Sequence, residues 1–395
     1  MRIVDVCAFY TPRGGGVKTY VERKLRAGMA AGHDITILAP GSRAGVVELG
    51  ASGRIVTIAG PRFLLDSRYC YFDDETALHR ALDGLDPDLV EASSPWSSAA
   101  MVGRWRGRAL RALIMHADPL STYAYRWFDR VASRSAIDRT FDWFWQHLRR
   151  LDFAFDMVVS ASRNLSDRLR DGGLSRTMTI PMGVEPGIFS PALRDEGLRA
   201  RLLDRCGLPD TALLLVGAGR FAPEKRWPLV IDAVTAAGIE HPIGIVLIGD
   251  GRDRARIVRS AASNPHVQLL APIADRSELA RILASADALV HGCEAETFCM
   301  VVSEARASGL PIIVPDRGGA FDQFVPGQGS SYRAADVASL ADTLKAFAMR
   351  DPIGERRLAT LEAAHVRSMD EHFSDLFQAY ETFGKRSTPC RMPAC

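Results

Sequence analysis

Short runs rich in β-branched residues alternate along this chain with stretches whose apolar positions recur at helical spacing. In the first half the runs are RIVDVCAF, HDITILAP, GRIVTIAG, PDLVEAS, RALIMHA and DMVVSAS; in the second they are ALLLVGAG, IGIVLIG, HVQLL, DALVHG and LPIIVP. Between the first two lies VKTYVERKLRAGMAAG, where Val17, Tyr20, Val21, Leu25 and Met29 share one helical face and Gly32 is placed to cap the end. Strands alternating with helices predict parallel sheets, because parallel neighbours need a crossover. The rhythm stops between residues 180 and 210, where prolines and glycines interrupt it, and restarts at Ala212. This predicts an α/β protein of two domains, 1–184 and 185–370, with 371–395 forming a helix that returns to the first domain plus a frayed tail. Two facing, doubly wound, Rossmann-like parallel sheets would bring their C-terminal strand ends to one cleft, where such sheets bind ligands.

Composition narrows the chemistry. A chain of 395 residues is too long for one core, and a hydrophobic content of 47% with 24% charged residues is that of a globular protein. The formal charge of +2 gives no general attraction to polyanions, so nucleic acid is not the expected partner. Seven cysteines lie scattered, without C-x-x-C spacing or a neighbouring His pair, which argues against a zinc site or a disulfide framework and fits a reducing cytoplasm. The opening MRIVDVCAFYTP is broken by Asp5 and is too short for a secretory or spanning segment. Work at a membrane would be done from its surface.

Candidate chemistry follows the strands. In CEAETFCMVVSEARASG, residues 298–308 read as a helix, with Glu296 in the loop before it and Glu304 about two turns in, flanked by Val301, Val302, Ala305 and Ala307. The leading amides around Phe298, Cys299 and Met300 suit an anion, and a carboxylate on the same rim suits hydroxyls of a ribose or sugar. After ALLLVGAG comes GRFAPEK, where Arg220 and Lys225 suit a diphosphate or are simply solvated loop charges. GAGRFA also mimics a dinucleotide fingerprint with Asp250 as the ribose acid, although Pro223 and the long gap to Asp250 weaken that match. In PRGGGVKTY, Gly14, Gly15 and Gly16 allow close backbone approach to a ligand, but P-loop spacing is absent. His116, after RALIM, should project from a strand end into the cleft.

The ordered set YTPRGGGVKTY, GRFAPEK, IGDGRDR, ETFCMVVSE and SGLPIIVPDRGG resembles the retaining glycosyltransferases of family four, with their two-domain GT-B architecture and a pair of glutamates, Glu296 and Glu304, with seven residues between them. The resemblance implies that Arg220 and Lys225 bind the diphosphate of a nucleotide-sugar donor and Glu304 holds its ribose, while Glu296 meets the sugar. It further implies that Phe298, Cys299 and Met300 lie against sugar and phosphate, that Gly249 and Gly251 border the base, and that His116 bonds the donor sugar. No cofactor or metal is implied; the acceptor would be a sugar or glycolipid of the cell envelope. Three positions depart from the pattern: Cys299 stands where glycine is usual, Met182 where Asn is customary and Asp322 where Glu often occurs.

Residues 96–150 hold five of the six tryptophans and ten arginines against four aspartates. Such a segment suits an anionic lipid surface on the inner face of the cell membrane, a folded acceptor lobe, or stacking on an acceptor sugar. Asp86 and Asp88 mimic a D-x-D metal motif, but they precede a strand and read as its entry turn. A nicotinamide-dependent oxidoreductase and a non-catalytic sugar- or membrane-binding protein remain as competing classes.

Overall fold

A computed structural model describes residues 1–387 except 13–15, 51, 64–68, 117, 119, 126, 127 and 129–132. The expected tail beyond residue 387, with Cys390 and Cys395, therefore lies outside the described residues. Eight strands build the first sheet: β1 (Arg2–Val6), β2 (Asp34–Gly41), β3 (Gly45–Glu48), β4 (Gly53–Ala59), β5 (Leu89–Ala92), β6 (Leu110–Met115), β7 (Met157–Ser160) and β8 (Thr177–Thr179). Their order is β3-β4-β2-β1-β5-β6-β7-β8, parallel except for the β3/β4 pair. Six parallel strands build the second: β9 (Leu213–Ala218), β10 (Ile243–Ile248), β11 (Val267–Leu270), β12 (Ala288–Val290), β13 (Ile312–Pro315) and β14 (Gly329–Tyr332), in the order β11-β10-β9-β12-β13-β14. Helices cover both faces, so the central strands are apolar along nearly their whole length. The pattern missed β3, β8 and β14 because GVVE is an exposed edge, TMT is short, and GSSY is held by pairing with β13 rather than by an apolar run.

Three polar residues sit inside this apolar core. Parallel pairing puts Asp5 of β1 beside Glu91 of β5, two carboxylates side by side. Lys24, from the Gly16–Ala30 helix above them, donates to Asp5 at 2.9 Å and also to Glu91. Ser93 donates to Asp5 at 2.6 Å and Tyr380 to Glu91 at 2.6 Å. All three charged side chains are essentially inaccessible to water. Burial pushes Glu91 above the ordinary carboxylate range; it also works against the Lys24 charge, but Asp5 and Glu91 outweigh it and keep the ammonium protonated.

The chain crosses to the second domain near Val184 and returns near Ser368, and the two crossings are hydrogen-bonded to each other: Val184 N to Arg367 O at 2.9 Å, and Met369 N to Val184 O at 2.8 Å. A side chain at Gly183 would run into the Ser368 carbonyl, so only glycine permits this approach. The Met369–Ser387 helix then buries Phe373, Leu376, Phe377 and Tyr380 in the core of the first domain. Its His372 bonds the Pro181 carbonyl at 2.9 Å and the Tyr20 hydroxyl at 3.0 Å. Asp86 and Asp88 do form the entry turn to β5, with the Arg2 amide donating to Asp88 at 2.7 Å.

Lys24→Met would leave two adjacent buried carboxylates without their cation and is expected to lower stability by about 3–5 kcal/mol. Tyr380→Phe removes one hydrogen bond to a charged group and should cost about 1.5–3 kcal/mol. Urea unfolding followed through tryptophan fluorescence measures both; a Lys24→Met chain as stable as wild type would contradict the cluster.

Candidate active site

One wall of the candidate site grows out of β9 and β12. Past β12 the chain runs through His291 and Cys293 to Glu296 before entering the Met300–Ala307 helix. Gly319, in the loop after β13, donates its amide to the Glu296 carbonyl at 2.8 Å, and a side chain at Gly319 would strike the backbone of Thr297 and Phe298. Gln323 donates to the carbonyls of Phe298 and Cys299, the latter at 3.2 Å. The Glu296 loop is thus held through its backbone, which leaves its side chain to other partners.

That side chain is engaged twice. Lys225, from the loop after β9, donates to Glu296, and His291 Nε2 lies 3.2 Å from the same oxygen. Burial works to raise the Glu296 carboxyl, but Lys225 and then His291 outweigh it and hold the group far below its ordinary range. Burial likewise opposes the Lys225 charge, and Glu296 reverses that effect and raises its pKa. Burial lowers the pKa of His291, so a neutral ring presents Nε2–H to the carboxylate. One turn into the helix Glu304 is also buried, and Arg276 donates to it. The helix starts at Met300 with no side-chain cap from Cys299, so its leading amides are not taken by one.

His116 follows β6 on the opposite wall. Its ring packs edge-on against Tyr20 at 5.1 Å, and burial pushes its pKa down to about 4. The Thr297 hydroxyl donates across the cleft to the His116 carbonyl at 3.1 Å, and Asp322 accepts from the Asn164 amide at 2.8 Å. Two polar contacts therefore set the walls in register. Gly16 opens the Gly16–Ala30 helix, whereas Gly14 and Gly15 lie outside the described residues. Gly249 and Gly251, after β10, pack on the backbone of Gly219 and Phe221, where any side chain would collide.

Several expectations need correction. The helix spans Met300–Ala307 rather than 298–308, because Cys299 adopts a left-handed φ of 72° that ends it, and Glu304 therefore lies one turn in rather than two. Arg220 does not join Lys225 in the pocket; its side chain is 80% exposed and meets Glu224 at 3.5 Å. In the segment 96–150, Trp105 and Trp145 are core residues, and Arg111 is spent on the carbonyls of Trp105 and Gly107. Trp96, Phe128 and Trp143 are exposed, with Trp96 and Trp143 flanking the buried Phe144, and Trp127 lies outside the described residues. Met182 packs beside the first-domain core. Sequence reasoning missed His291, Thr297, Arg276 and His372. His291 carried the same signal as His116, a polar residue at a strand end, while Arg276 is distant in sequence from Glu304 and gave no local sign.

Residues 14–187 match the family described as Glycosyltransferase Family 4, and residues 201–364 match Glycosyl transferases group 1. The chain is 30% identical over 335 residues to a GDP-mannose-dependent alpha-mannosyltransferase of Mycobacterium tuberculosis (strain CDC 1551 / Oshkosh), covering 82% of each chain. It is 28% identical over 375 residues, 92% of each chain, to a GDP-mannose-dependent alpha-(1-6)-phosphatidylinositol dimannoside mannosyltransferase of Mycobacterium tuberculosis (strain ATCC 25177 / H37Ra). Its fold matches sucrose-phosphate synthase of Thermosynechococcus elongatus with a TM-score of 0.75 at 21% identity, over 98% of this chain and 100% of that one. None of these relationships favours a dinucleotide site at GAGRFA. Two Rossmann-like domains of the GT-B kind, each matched by a glycosyltransferase family, make the chain a hexosyltransferase that belongs to the family 4, group 1 glycosyltransferases.

Proposed function

We propose that this enzyme moves mannose from GDP-mannose to a sugar or lipid-linked acceptor of the cell envelope, with retention of configuration and without a metal ion. The observation that carries this is the Lys225–Glu296 pair at the uncapped mouth of the Met300–Ala307 helix, next to Thr297, which reaches the His116 carbonyl of the other domain. On donor binding, Lys225 turns from Glu296 to the diphosphate, and Arg220 swings in from solvent to join it. The amides of Phe298, Cys299 and Met300 face sugar and phosphate, and Glu304, oriented by Arg276, accepts the ribose hydroxyls. Gly249 and Gly251 border the base; Gly14, Gly15 and Gly16 approach the diphosphate from the other domain. As the glycosidic bond to phosphate lengthens, negative charge grows on the leaving group, and the ammonium, guanidinium and helix amides stabilise it where it develops. These groups supply the positive charge that a divalent ion would otherwise bring. Glu296 and a neutral His116 hold the sugar hydroxyls, and the departing phosphate, lying on the face that the acceptor enters, takes the acceptor proton.

The donor is inferred from the names of the two mycobacterial relatives, and the lipid acceptor from the second of them. Exposed Trp96, Phe128 and Trp143, with exposed Arg106, Arg139 and Arg150 nearby in sequence, support docking of this lobe at an anionic membrane from its surface. No described helix is long and apolar enough to cross a membrane.

Among GDP-, UDP- and ADP-sugars, GDP-mannose is expected to give the largest thermal stabilisation. Lys225→Ala and Glu304→Ala should each weaken donor affinity by about tenfold or more, the value of a charged hydrogen bond. Equal shifts with all donors would refute the donor assignment, and an inverted anomer in the product, read by NMR, would refute retention. Because His116 protonates only towards pH 4, kcat/KM should show no inflection near 6.5 that disappears in His116→Asn. Sedimentation with phosphatidylinositol-containing vesicles should exceed that with neutral vesicles and fall with salt, and Trp143→Ser should reduce it. Equal recovery with both vesicle types would remove the membrane surface.

A further inference from the structure

The donor wall brings together three side chains whose spacing in sequence follows no metal-binding motif. His291 Nε2 lies 3.2 Å from Glu296 Oε1 and 3.5 Å from Cys299 Sγ, and all three ligand atoms fall within 4.8 Å of one another. Tetrahedral zinc, with bonds of about 2.0–2.3 Å to nitrogen, oxygen and sulfur, sets ligand-to-ligand edges of about 3.3–3.6 Å. The two edges from His291 fall within or just below that range, and the third, from Glu296 to Cys299, lies within 4.8 Å. His291 and Cys299 are buried, so a bound ion would be shielded from bulk water, with the cleft supplying its fourth position. Cys299 also occupies a left-handed backbone position, φ 72°, where glycine would be easier to accommodate, and the thiol is turned toward His291.

We propose that His291, Glu296 and Cys299 form a binding site for zinc or a similar thiophilic divalent cation, and that its occupancy excludes the sugar donor. Coordination takes the Glu296 oxygen that Lys225 holds in the free enzyme and releases the Cys299 thiol proton to solvent. The exclusion follows because the ion then fills the place proposed for sugar and phosphate; this part rests on the donor reading above. Two features keep the ion from being a resident structural one. Lys225 competes for the carboxylate, and His291 Nδ1 is buried with no hydrogen-bond partner among the described residues, whereas a ligating imidazole normally donates its second N–H to an acceptor. The site is that of a reversible inhibitor.

Zinc chloride titrated into the reduced full-length chain against a chromophoric chelator tests this without nucleotide. One equivalent should bind the wild type, and Cys299→Gly and His291→Gln should each lose about tenfold or more in affinity. Cys299→Gly suits the left-handed backbone, so a folding defect is not expected to mask the result. Cobalt in place of zinc should show a thiolate charge-transfer band that is absent in Cys299→Gly. GDP-mannose should weaken zinc binding to the wild type. Absence of zinc binding by wild type, or equal affinity in wild type and Cys299→Gly, would overturn the site, and zinc affinity unmoved by bound GDP-mannose would overturn the exclusion. Zinc binding that needs Cys299 in a chain with no GDP-mannose binding would uphold the site and fail the donor reading alone.

Discussion

A single ammonium group underlies the first domain. Parallel pairing of β1 with β5 forces Asp5 and Glu91 together in a region without water, an arrangement that is costly without a cation between them. Lys24 resolves the conflict, and in doing so fixes the Gly16–Ala30 helix to the sheet and, through Tyr380 and Glu91, the Met369–Ser387 helix to both. The same cluster lies beside the cleft. Tyr20, one turn before Lys24, packs on His116 and bonds His372, so the ring that faces the donor wall is seated on the group that anchors the returning helix. Burial, rather than a charged partner, keeps His116 and His372 neutral, with both pKa values near 4.

The donor wall is built on a different principle. Here acid and base are paired in advance: Lys225 with Glu296, Arg226 with Glu294 and Arg276 with Glu304. A buried ion without a partner would be costly, so the free enzyme keeps each charge satisfied within its own loops. Under the proposed function, ligand binding would exchange one set of charged hydrogen bonds for another instead of desolvating bare ions. Arg220 is paired as well, with Glu224 at 3.5 Å, but its side chain is 80% exposed, so leaving that partner breaks a surface contact rather than a buried one.

The strand-helix rhythm made eleven of the fourteen strands legible, because a strand covered on both faces must be apolar along its length. Strands held mainly by edge pairing, such as β14, carried no such mark. At the site, Glu296, Lys225 and Glu304 were visible as charged residues in apolar or strand-end surroundings. Their partners were not. Arg276 meets Glu304 and Thr297 meets His116 through the packing of elements far apart in sequence, and local pattern contains no record of that. Arg220 and Lys225 looked equivalent in GRFAPEK, yet the short Pro223–Lys225 turn sends one side chain to solvent and the other under the Glu296 loop. For residues 96–150 composition left a lipid surface and a folded lobe both open, and the burial of Trp105 and Trp145 favours the folded lobe at those two positions, because composition counts aromatic residues without saying which of them face the core.

The relation between the walls follows from where the chain crosses. The crossings at Val184 and Ser368 are bonded to each other, and Gly183 lets them approach so closely that the two domains share one narrow connection. Rotation about that connection would have to break the contacts between the walls, where Thr297 reaches the His116 carbonyl and Asp322 the Asn164 amide. The first is a single hydrogen bond and the second a carboxylate held by the amides of Asn164 and Arg163, whereas each wall is internally fixed by backbone bonds and buried ion pairs. The cheapest motion open to the molecule therefore leaves each half of the site intact and changes only the distance between them. A transferase that must admit a bulky donor and then exclude water from a breaking glycosidic bond requires that division of stiffness.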